Sequence, residues 1–189
     1  MIPGYGGSSV EFLAILLLIV VGVVVGIWLF IANQGDANFK FVVDQRTAFS
    51  LTGITEDTAT FVSQIPFVNN GTQGGTLMDV YPRHLLPCEQ FDAVEVDSRL
   101  TLDKANRSDG YWEAYIVLKN TGGSIILTVK FTAKSGDIKT ALADMVDMPI
   151  DIVYQVVARG PWYINKERLV MTADEIHRAL AAGEQAAAR

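Results

Sequence analysis

The sequence predicts a mainly β protein: an N-terminal transmembrane helix, then an antiparallel β-sandwich of about seven to eight strands, then a short C-terminal helix. Three observations predict this architecture. The segment from Phe12 to Ile31 is apolar over 20 residues and contains no charged residue. From Phe39 onward, apolar residues recur with a period of two, which is typical of half-buried strands. After Met171 the pattern becomes helical again.

The apolar segment is long enough to cross a bilayer, since its helical rise of about 1.5 Å per residue gives about 30 Å. A cleaved signal peptide is the less favoured interpretation because no Lys or Arg precedes the segment. A soluble core helix is also disfavoured because every face is apolar. We therefore divide the chain into an N-terminal tail (1–11), a transmembrane helix (12–32), a polar linker (33–38), a β-sandwich domain (39–171) and a C-terminal helix and tail (172–189).

Gly22 and Gly26 lie four residues apart inside this helix. Small residues at that spacing leave a groove into which a second helix can pack closely in lipid. We therefore predict a helix–helix interface at Gly22 and Gly26. Its partner is another membrane protein or a second copy of this chain, and the lipid bilayer surrounds the rest of the helix.

The basic residues near the helix give a slight preference for a cytoplasmic domain. Lys40 and Arg46 follow the helix, whereas no Lys or Arg precedes it, and positive flanks tend to stay inside. An exported domain is the more familiar arrangement behind an N-terminal anchor, so the side of the membrane stays open.

The composition argues against nucleic acid as a partner. The chain has 15 Lys and Arg against 21 Asp and Glu, a net charge of −6, and no basic cluster. A phosphate backbone would be repelled by such a surface. With the single cysteine Cys88, an intramolecular disulfide is excluded, so the fold must depend on its apolar core.

Alternation is clear enough in five stretches to name the residues that face inward. These sets are Phe39, Phe41 and Val43; Ala59, Phe61, Ile65 and Phe67; Val94, Val96, Leu100 and Leu102; Ile125, Leu127, Val129 and Phe131; and Ile150, Ile152, Tyr154, Val156 and Ala158. Further strands are expected over residues 77–81 and 162–171.

The strongest hairpin prediction spans residues 111–133, after a polar turn over 104–110. Its turn, Asn120-Thr121-Gly122-Gly123, supplies glycines that tolerate positive φ. Its first strand is predicted to place four residues inward: Trp112, Ala114, Ile116 and Leu118. This stretch resembles the central strands of immunoglobulin-like domains of the water-stress and late-embryogenesis-abundant kind, which often follow one membrane helix. The resemblance implies a binding or scaffolding role rather than catalysis.

A second resemblance lies at the N-terminus. Gly7-Ser8-Ser9-Val10-Glu11-Phe12 before an apolar helix resembles the start of pilins and pseudopilins of the tight-adherence type. In that family, cleavage after a glycine leaves a glutamate near the new N-terminus, and cleavage after Gly6 would place Glu11 at the fifth position. The favoured interpretation is that Glu11 is the last polar residue before the lipid.

Two helices are predicted after the hairpin. Thr172 and Glu175 form a capping box, in which Thr172 caps the helix and Glu175 reaches back to it. This C-terminal helix is expected to end at about Ala182, with frayed residues beyond Gly183. A second, short helix is expected over residues 137–145.

The densest polar stretch contains Asp79, Arg83, His84, Cys88 and Glu89. His84 and Cys88 are residue types that ligate transition metals or form a nucleophile–base pair. No second His/Cys pair accompanies them, so a loop histidine near a buried cysteine is the favoured interpretation. No metal, cofactor or catalytic site is assigned.

Asp144, Asp147 and Asp151 form an acidic group that lacks the glycine of a calcium loop, and we interpret them as a solvated turn. Among the aromatic residues, Trp112 alternates with core positions. Trp162 and Tyr163 follow a Gly-Pro turn and are candidates for a partner contact, although packing under a loop is the favoured alternative for Trp162.

These observations predict a non-catalytic accessory, scaffold or interaction subunit of a membrane complex. No phosphate-binding glycine loop or other cofactor motif is recognised. One alternative is a pseudopilin-like filament or secretion-system subunit, which rests on Glu11. The other is a membrane-tethered hydrolase, which rests on His84 and Cys88.

Overall fold

The computed structural model describes residues 7–104 and 112–187, which belong to two compact units that meet in sequence between Gly35 and Asp36. The first unit contains helix α1 (Gly7–Ala32). Within it, the 23 residues Val10–Ala32 are long and apolar enough to span a membrane, and none of them is buried. The predicted cleavage after Gly6 and most of the polar turn over 104–110 lie outside the described residues.

Besides a short 3-10 helix (Val43–Gln45), the second unit contains nine strands and two α-helices among its described residues. In chain order these are β1 (Phe39–Phe41), β2 (Ser50–Ile54), β3 (Thr58–Asn69), β4 (Gly75–His84), β5 (Val94–Leu102), β6 (Tyr115–Val117), β7 (Gly122–Ala133), α2 (Ile138–Ala143), β8 (Met148–Val157), β9 (Tyr163–Met171) and α3 (Ala173–Ala187). The predicted fold class, an N-terminal apolar helix followed by an antiparallel β domain and a C-terminal helix, is confirmed.

Two antiparallel sheets enclose the core. The first sheet has the order β1-β3-β7-β5, and β2 also pairs with β3; the second has the order β6-β4-β8-β9. The predicted inward sets of β3 and β7 are confirmed, because each of their residues is at most 2% exposed. In the β8 set, Ile150, Ile152, Tyr154 and Val156 are fully buried, whereas Ala158 follows the strand and is half-buried. Strand β2 was not predicted, since its residues are mostly exposed and carry no alternating pattern.

Tyr154 ties the two sheets together at the centre of the core. Its ring lies 4.8 Å from that of Phe41, centroid to centroid. Its hydroxyl donates to the carbonyl of Phe39 at 3.2 Å and accepts from Asn165 Nδ2 at 3.0 Å. Burial raises the pKa of Tyr154 to about 12, so the hydroxyl stays protonated and can donate this bond even in alkaline solution in which a free tyrosine would ionise.

The predicted 111–133 hairpin is wrong, because β6 pairs with β4 in the second sheet whereas β7 lies in the first. The predicted phase is also wrong: Val117 is 2% exposed, but Ile116 and Leu118 are 72% and 67% exposed. The physical reason is that residues 115–118 are all apolar, so alternation cannot choose a face. Trp112 is in the core as predicted, and its Nε1 donates to the carbonyl of Leu77 at 3.1 Å.

The turn between β6 and β7 also differs from the prediction. The residue with positive φ is Asn120, at 55°, and neither Gly122 nor Gly123 adopts one. Gly122 is required for a different reason, because a Cβ there would collide with the carbonyl oxygen of Phe67 on β3. The glycine therefore permits close approach of two backbones.

The C-terminal capping box is half confirmed. Thr172 Oγ1 accepts from the backbone N–H of Glu175 at 3.2 Å, but the Glu175 carboxylate is bound by Arg46 and does not reach back. Helix α3 also continues through Gly183 instead of ending there, and a Cβ on Gly183 would press on the side chain of Leu51. The predicted short helix is confirmed as α2, which is capped by the side chain of Asp137.

Candidate interaction surface

Exposed apolar residues collect at one end of the outer face of the second sheet. β6 and the position after it supply Ile116 and Leu118, β8 supplies Val157, and β9 with the position before it supplies Trp162 and Ile164. Their exposed fractions are 72%, 67%, 38%, 61% and 60% in that order. We call these five residues the apolar end surface.

The strand register brings these residues into one row. Thr76 of β4 pairs with Ile116 on one side and with Val157 on the other. The last bonded pair of β8 and β9 is Val156 with Tyr163, so the next residues, Val157 and Trp162, lie opposite each other. Neighbouring strands lie about 4.8 Å apart, so this row extends about 15 Å across the sheet.

Asp36 fixes the turn that precedes Trp162. Its carboxylate accepts from the backbone N–H groups of Ala37 at 2.8 Å, Gly160 at 2.8 Å and Arg159 at 3.1 Å. The bond from Ala37, followed by those from Gly160 and Arg159, outweighs the opposing effect of burial and lowers the pKa of Asp36. An ionised side chain at the start of the sandwich therefore holds the β8–β9 turn in place.

Asn69 organises the same end of the sandwich and is fully buried. Its Oδ1 accepts from the N–H groups of Asn38 and Gly71, each at 3.0 Å. Its Nδ2 donates to the carbonyl of Gln73 at 2.8 Å and approaches that of Leu118 at 3.4 Å. One side chain thus connects the start of the sandwich, the β3–β4 turn and the segment that carries Leu118.

The end of the sandwich that bears the apolar end surface carries exposed basic residues, among them Lys119 and Arg159 next to that surface, and Lys40 on the outer face of the first sheet. Among the described carboxylates there, Asp36 is bonded to backbone N–H groups and also interacts electrostatically with Arg159, and Asp103 accepts from Gln64 and Ser124 on the first sheet. The described part of this end therefore combines apolar and basic side chains within a chain of net charge −6.

The other half of the same sheet face is held by an ion cluster. Asp151 is 1% exposed, and its carboxylate accepts from Arg168 at 2.7 and 3.1 Å and from Lys166 at 3.1 Å. Bonds from Arg168 lower its pKa to about 2 against the opposing effect of burial, with a further contribution from Lys166. The predicted solvated acidic turn is therefore wrong for Asp151. Asp147 instead accepts from the N–H of Ala173.

We expect Asp151 to make the protein sensitive to acid. Its pKa is lowered on folding, so its contribution to stability is complete above the unfolded pKa and is lost as pH falls from about 5 to about 2. Replacement by Asn should flatten this part of the stability profile, as measured by urea unfolding of the detergent-solubilised chain at a series of pH values. The control Asp79→Asn, at an exposed position on β4, should keep the wild-type slope. A wild-type slope in Asp151→Asn would contradict the assignment.

The predicted polar cluster is spread along the chain. Asp79, Arg83 and His84 lie on β4, and Cys88 and Glu89 lie in the segment after it. Asp79 and His84 are five positions apart, which corresponds to about 16 Å along a strand. Cys88 is exposed and His84 is on a strand, so the expected loop histidine near a buried cysteine is wrong on both points.

The hydrogen bonds of His84 and Cys88 go to other groups. His84 Nδ1 lies 3.0 Å from Ser98 Oγ, and this contact links β4 of the second sheet to β5, the edge strand of the first. The Cys88 thiol donates to the carbonyl of Leu86 at 3.5 Å. Among the described residues, no group of three or more His, Cys, Asp and Glu side chains is placed to hold a metal ion.

The remaining predicted contact residues are the two glycines of α1 and the aromatic pair Trp162 and Tyr163. Gly22 and Gly26 lie on α1, and a Cβ at either would meet no atom within 4 Å. Trp162 is exposed and does not pack under a loop, whereas Tyr163 is half-buried and packs against the core. Only the first of the two aromatic candidates is thus available to a partner.

Sequence reasoning missed Ile116, Leu118 and Ile164 as surface residues. The first two were assigned to the wrong face for the reason given above. Ile164 could have been recognised as a surface residue, because successive side chains of a strand point to opposite faces. In a sheet with one buried face, Tyr163 and Ile164 cannot both face the core.

No protein-family model matches this sequence, and no curated protein matches it. Among solved structures, a Northeast Structural Genomics Consortium target, SoR45, is 14% identical with a TM-score of 0.37, over 72% of this chain and 86% of that chain. The GAE domain of yeast GGA1 is 7% identical with a TM-score of 0.30, over 67% and 97%. A protein from Archaeoglobus fulgidus is 9% identical with a TM-score of 0.28, over 70% and 94%. Similarities at these scores carry no functional argument.

Proposed function

We propose that this protein is a single-pass membrane protein whose β-sandwich is a non-catalytic accessory or interaction subunit of a membrane complex. The observation that carries the proposal is the character of α1, whose residues from Val10 to Ala32 expose apolar side chains around the whole helix. Such a surface is compatible with lipid or with other membrane helices as its surroundings.

The chemistry of the sandwich supports a structural role for its buried charges. Asp151 is bound by Arg168 and Lys166, and Glu175 is bound by Arg46 and by the N–H of Phe49. A carboxylate whose oxygens are occupied in this way stabilises the fold and is poorly suited to accept a proton from a substrate. Exposed apolar residues at one end of the sandwich add a surface suited to contact.

Isolation of the full chain from its native membranes in a mild detergent tests this proposal. The measurements are the mass of the complex and the identity and stoichiometry of its components. Other membrane proteins at a fixed ratio to this chain would support an accessory subunit. A bare monomer would contradict it, and the intact mass would test the filament alternative, since an N-terminus at Gly7 favours a processed pseudopilin and an intact Met1 excludes it.

We expect the contact of the helix to depend on Gly22 and Gly26. Replacing both with Leu fills the groove that allows the two backbones to approach closely, so recovery of the partner should fall about tenfold, which corresponds to a loss of about 1.4 kcal/mol. The control, Val20→Leu with Val24→Leu, places the same two leucines on the opposite face of the helix and should leave recovery unchanged. Equal loss in both double variants would show that the glycines have no special role.

A further inference from the structure

We propose that the apolar end surface rests on the bilayer, with Trp162 at the level of the lipid headgroups and the neighbouring basic residues facing anionic lipids. The occupant of this surface is thus the membrane itself and not a soluble ligand. The inference rests on the proposed membrane anchoring of α1, which it extends from the helix to the sandwich.

The first argument is the length of the connection. Only Asn33, Gln34 and Gly35 separate the last residue of α1 from Asp36, which begins the sandwich. Four Cα–Cα steps of 3.8 Å cover at most about 15 Å, whatever the angle between the two units. Asp36 in turn holds the N–H of Gly160, two residues before Trp162. The end of the sandwich that carries the apolar end surface therefore cannot move far from a bilayer that holds α1.

The second argument is chemical. Tryptophan is enriched at the membrane–water interface because its indole ring is apolar and its N–H can still reach polar groups. Trp162 is accompanied by Ile116, Leu118 and Ile164, each at least 60% exposed, which water alone would disfavour.

The charges near the apolar end surface favour lipid over a second copy of this chain as its occupant. Lys119 and Arg159 complement the phosphates of anionic lipids, to which each basic residue near the surface adds attraction. A second copy of this chain would present the same basic residues to this end, so like charges would meet. Charge complementarity thus favours lipid over self-association.

Fluorescence quenching by brominated lipid provides the test. The substitution Trp28→Phe removes the tryptophan of α1 from the full-length chain. Reconstitution at one copy per nanodisc then excludes contact with a second copy. Trp112 is buried in the core and serves as an unquenched internal reference. Lipids brominated near the headgroup should reduce the Trp162 emission about twofold, since interfacial apolar residues penetrate about 5–10 Å into the headgroup and acyl boundary. The matched variant Trp28→Phe with Trp162→Phe should show no quenching.

Two comparisons make the outcomes distinct. Quenching should be stronger with phosphatidylglycerol present than with phosphatidylcholine alone, and Lys119→Glu should remove that difference. Equal quenching in both lipids would overturn the anionic preference. Absence of Trp162 quenching in a chain that incorporates into nanodiscs would overturn this inference alone, leaving the anchor intact and pointing to a protein as the occupant. Failure of the chain to incorporate at all would overturn the proposed function as well.

Discussion

Asn69→Ala is expected to lower the free energy of unfolding by about 2–4 kcal/mol, because buried hydrogen-bonding groups left without partners cost about 1–3 kcal/mol each. The Asn69 side chain is fully buried and serves the N–H groups of Asn38 and Gly71 and the carbonyl of Gln73. Alanine removes both the accepting oxygen and the donating N–H₂ group of Asn69 and supplies no replacement for either. Equilibrium unfolding in urea, monitored by the emission of Trp112, measures the loss.

A matched control is available at the next residue. Asn70 is exposed, and Asn70→Ala should change the free energy of unfolding by less than about 0.5 kcal/mol. Asn69→Asp separates hydrogen bonding from packing, since it keeps the shape and the accepting oxygen but loses the N–H₂ donor. We expect it to be destabilising too. Wild-type stability in Asn69→Ala would show that water replaces the network at little cost.

Arg46→Met is the second substitution for which a large effect is expected, about 3–5 kcal/mol, because it leaves a buried carboxylate without its partner. Arg46 and Glu175 form a two-pronged ion pair with both contacts at 2.8 Å, and their side chains are only 17% and 9% exposed. The backbone N–H of Phe49 also donates to Glu175 at 2.7 Å. Burial acts to raise the pKa of Glu175, but the bonds from Arg46 and Phe49 prevail and lower it.

The double variant Arg46→Met with Glu175→Leu provides the decisive comparison. Apolar replacement of both partners of a buried pair is often neutral, so the double variant should recover part of the lost stability; the N–H of Phe49, which loses its acceptor, accounts for the rest. Arg99→Met tests a pair of the same type at the surface, where Arg99 and Asp97 are both more than half exposed, and should cost less than about 1 kcal/mol. If Arg46→Met and Arg99→Met were equally mild, the buried pair would have no special role.

Most of the core was predictable from sequence because strands with one buried face alternate. The residues of β3, β7 and β8 that were assigned inward are all buried. Alternation is absent in two segments whose structure was not predicted correctly: residues 115–118 are apolar at every position, and β2 is exposed at most positions. In such segments the strand partner decides which face is buried, and the partner of β6 is β4, which lies far away in sequence.

The candidate surface was predictable only in part. Trp162 was identified because an aromatic residue after a Gly-Pro turn is placed for contact, but Ile116 and Leu118 were assigned to the core. The same non-local dependence applies to Glu175, which local pattern assigned to a capping box. Arg46, which precedes Glu175 by more than a hundred residues, binds the carboxylate instead. Long-range ion pairs leave no local trace in a sequence.

The placement of β7 between β3 and β5 has a consequence for how the chain is made. The central pairing of the first sheet joins residues near 60 to residues near 130, so it cannot form until the ribosome has released β7. Such distant pairing also makes folding slow, in the millisecond-to-second range for β proteins. If α1 inserts into a membrane as proposed above, it can do so before β3 has its partner, because α1 precedes β3 in the chain and the apolar face of β3 is still uncovered. Early insertion would then hold each nascent domain at the membrane, apart from its neighbours, through the interval in which it is most prone to aggregate.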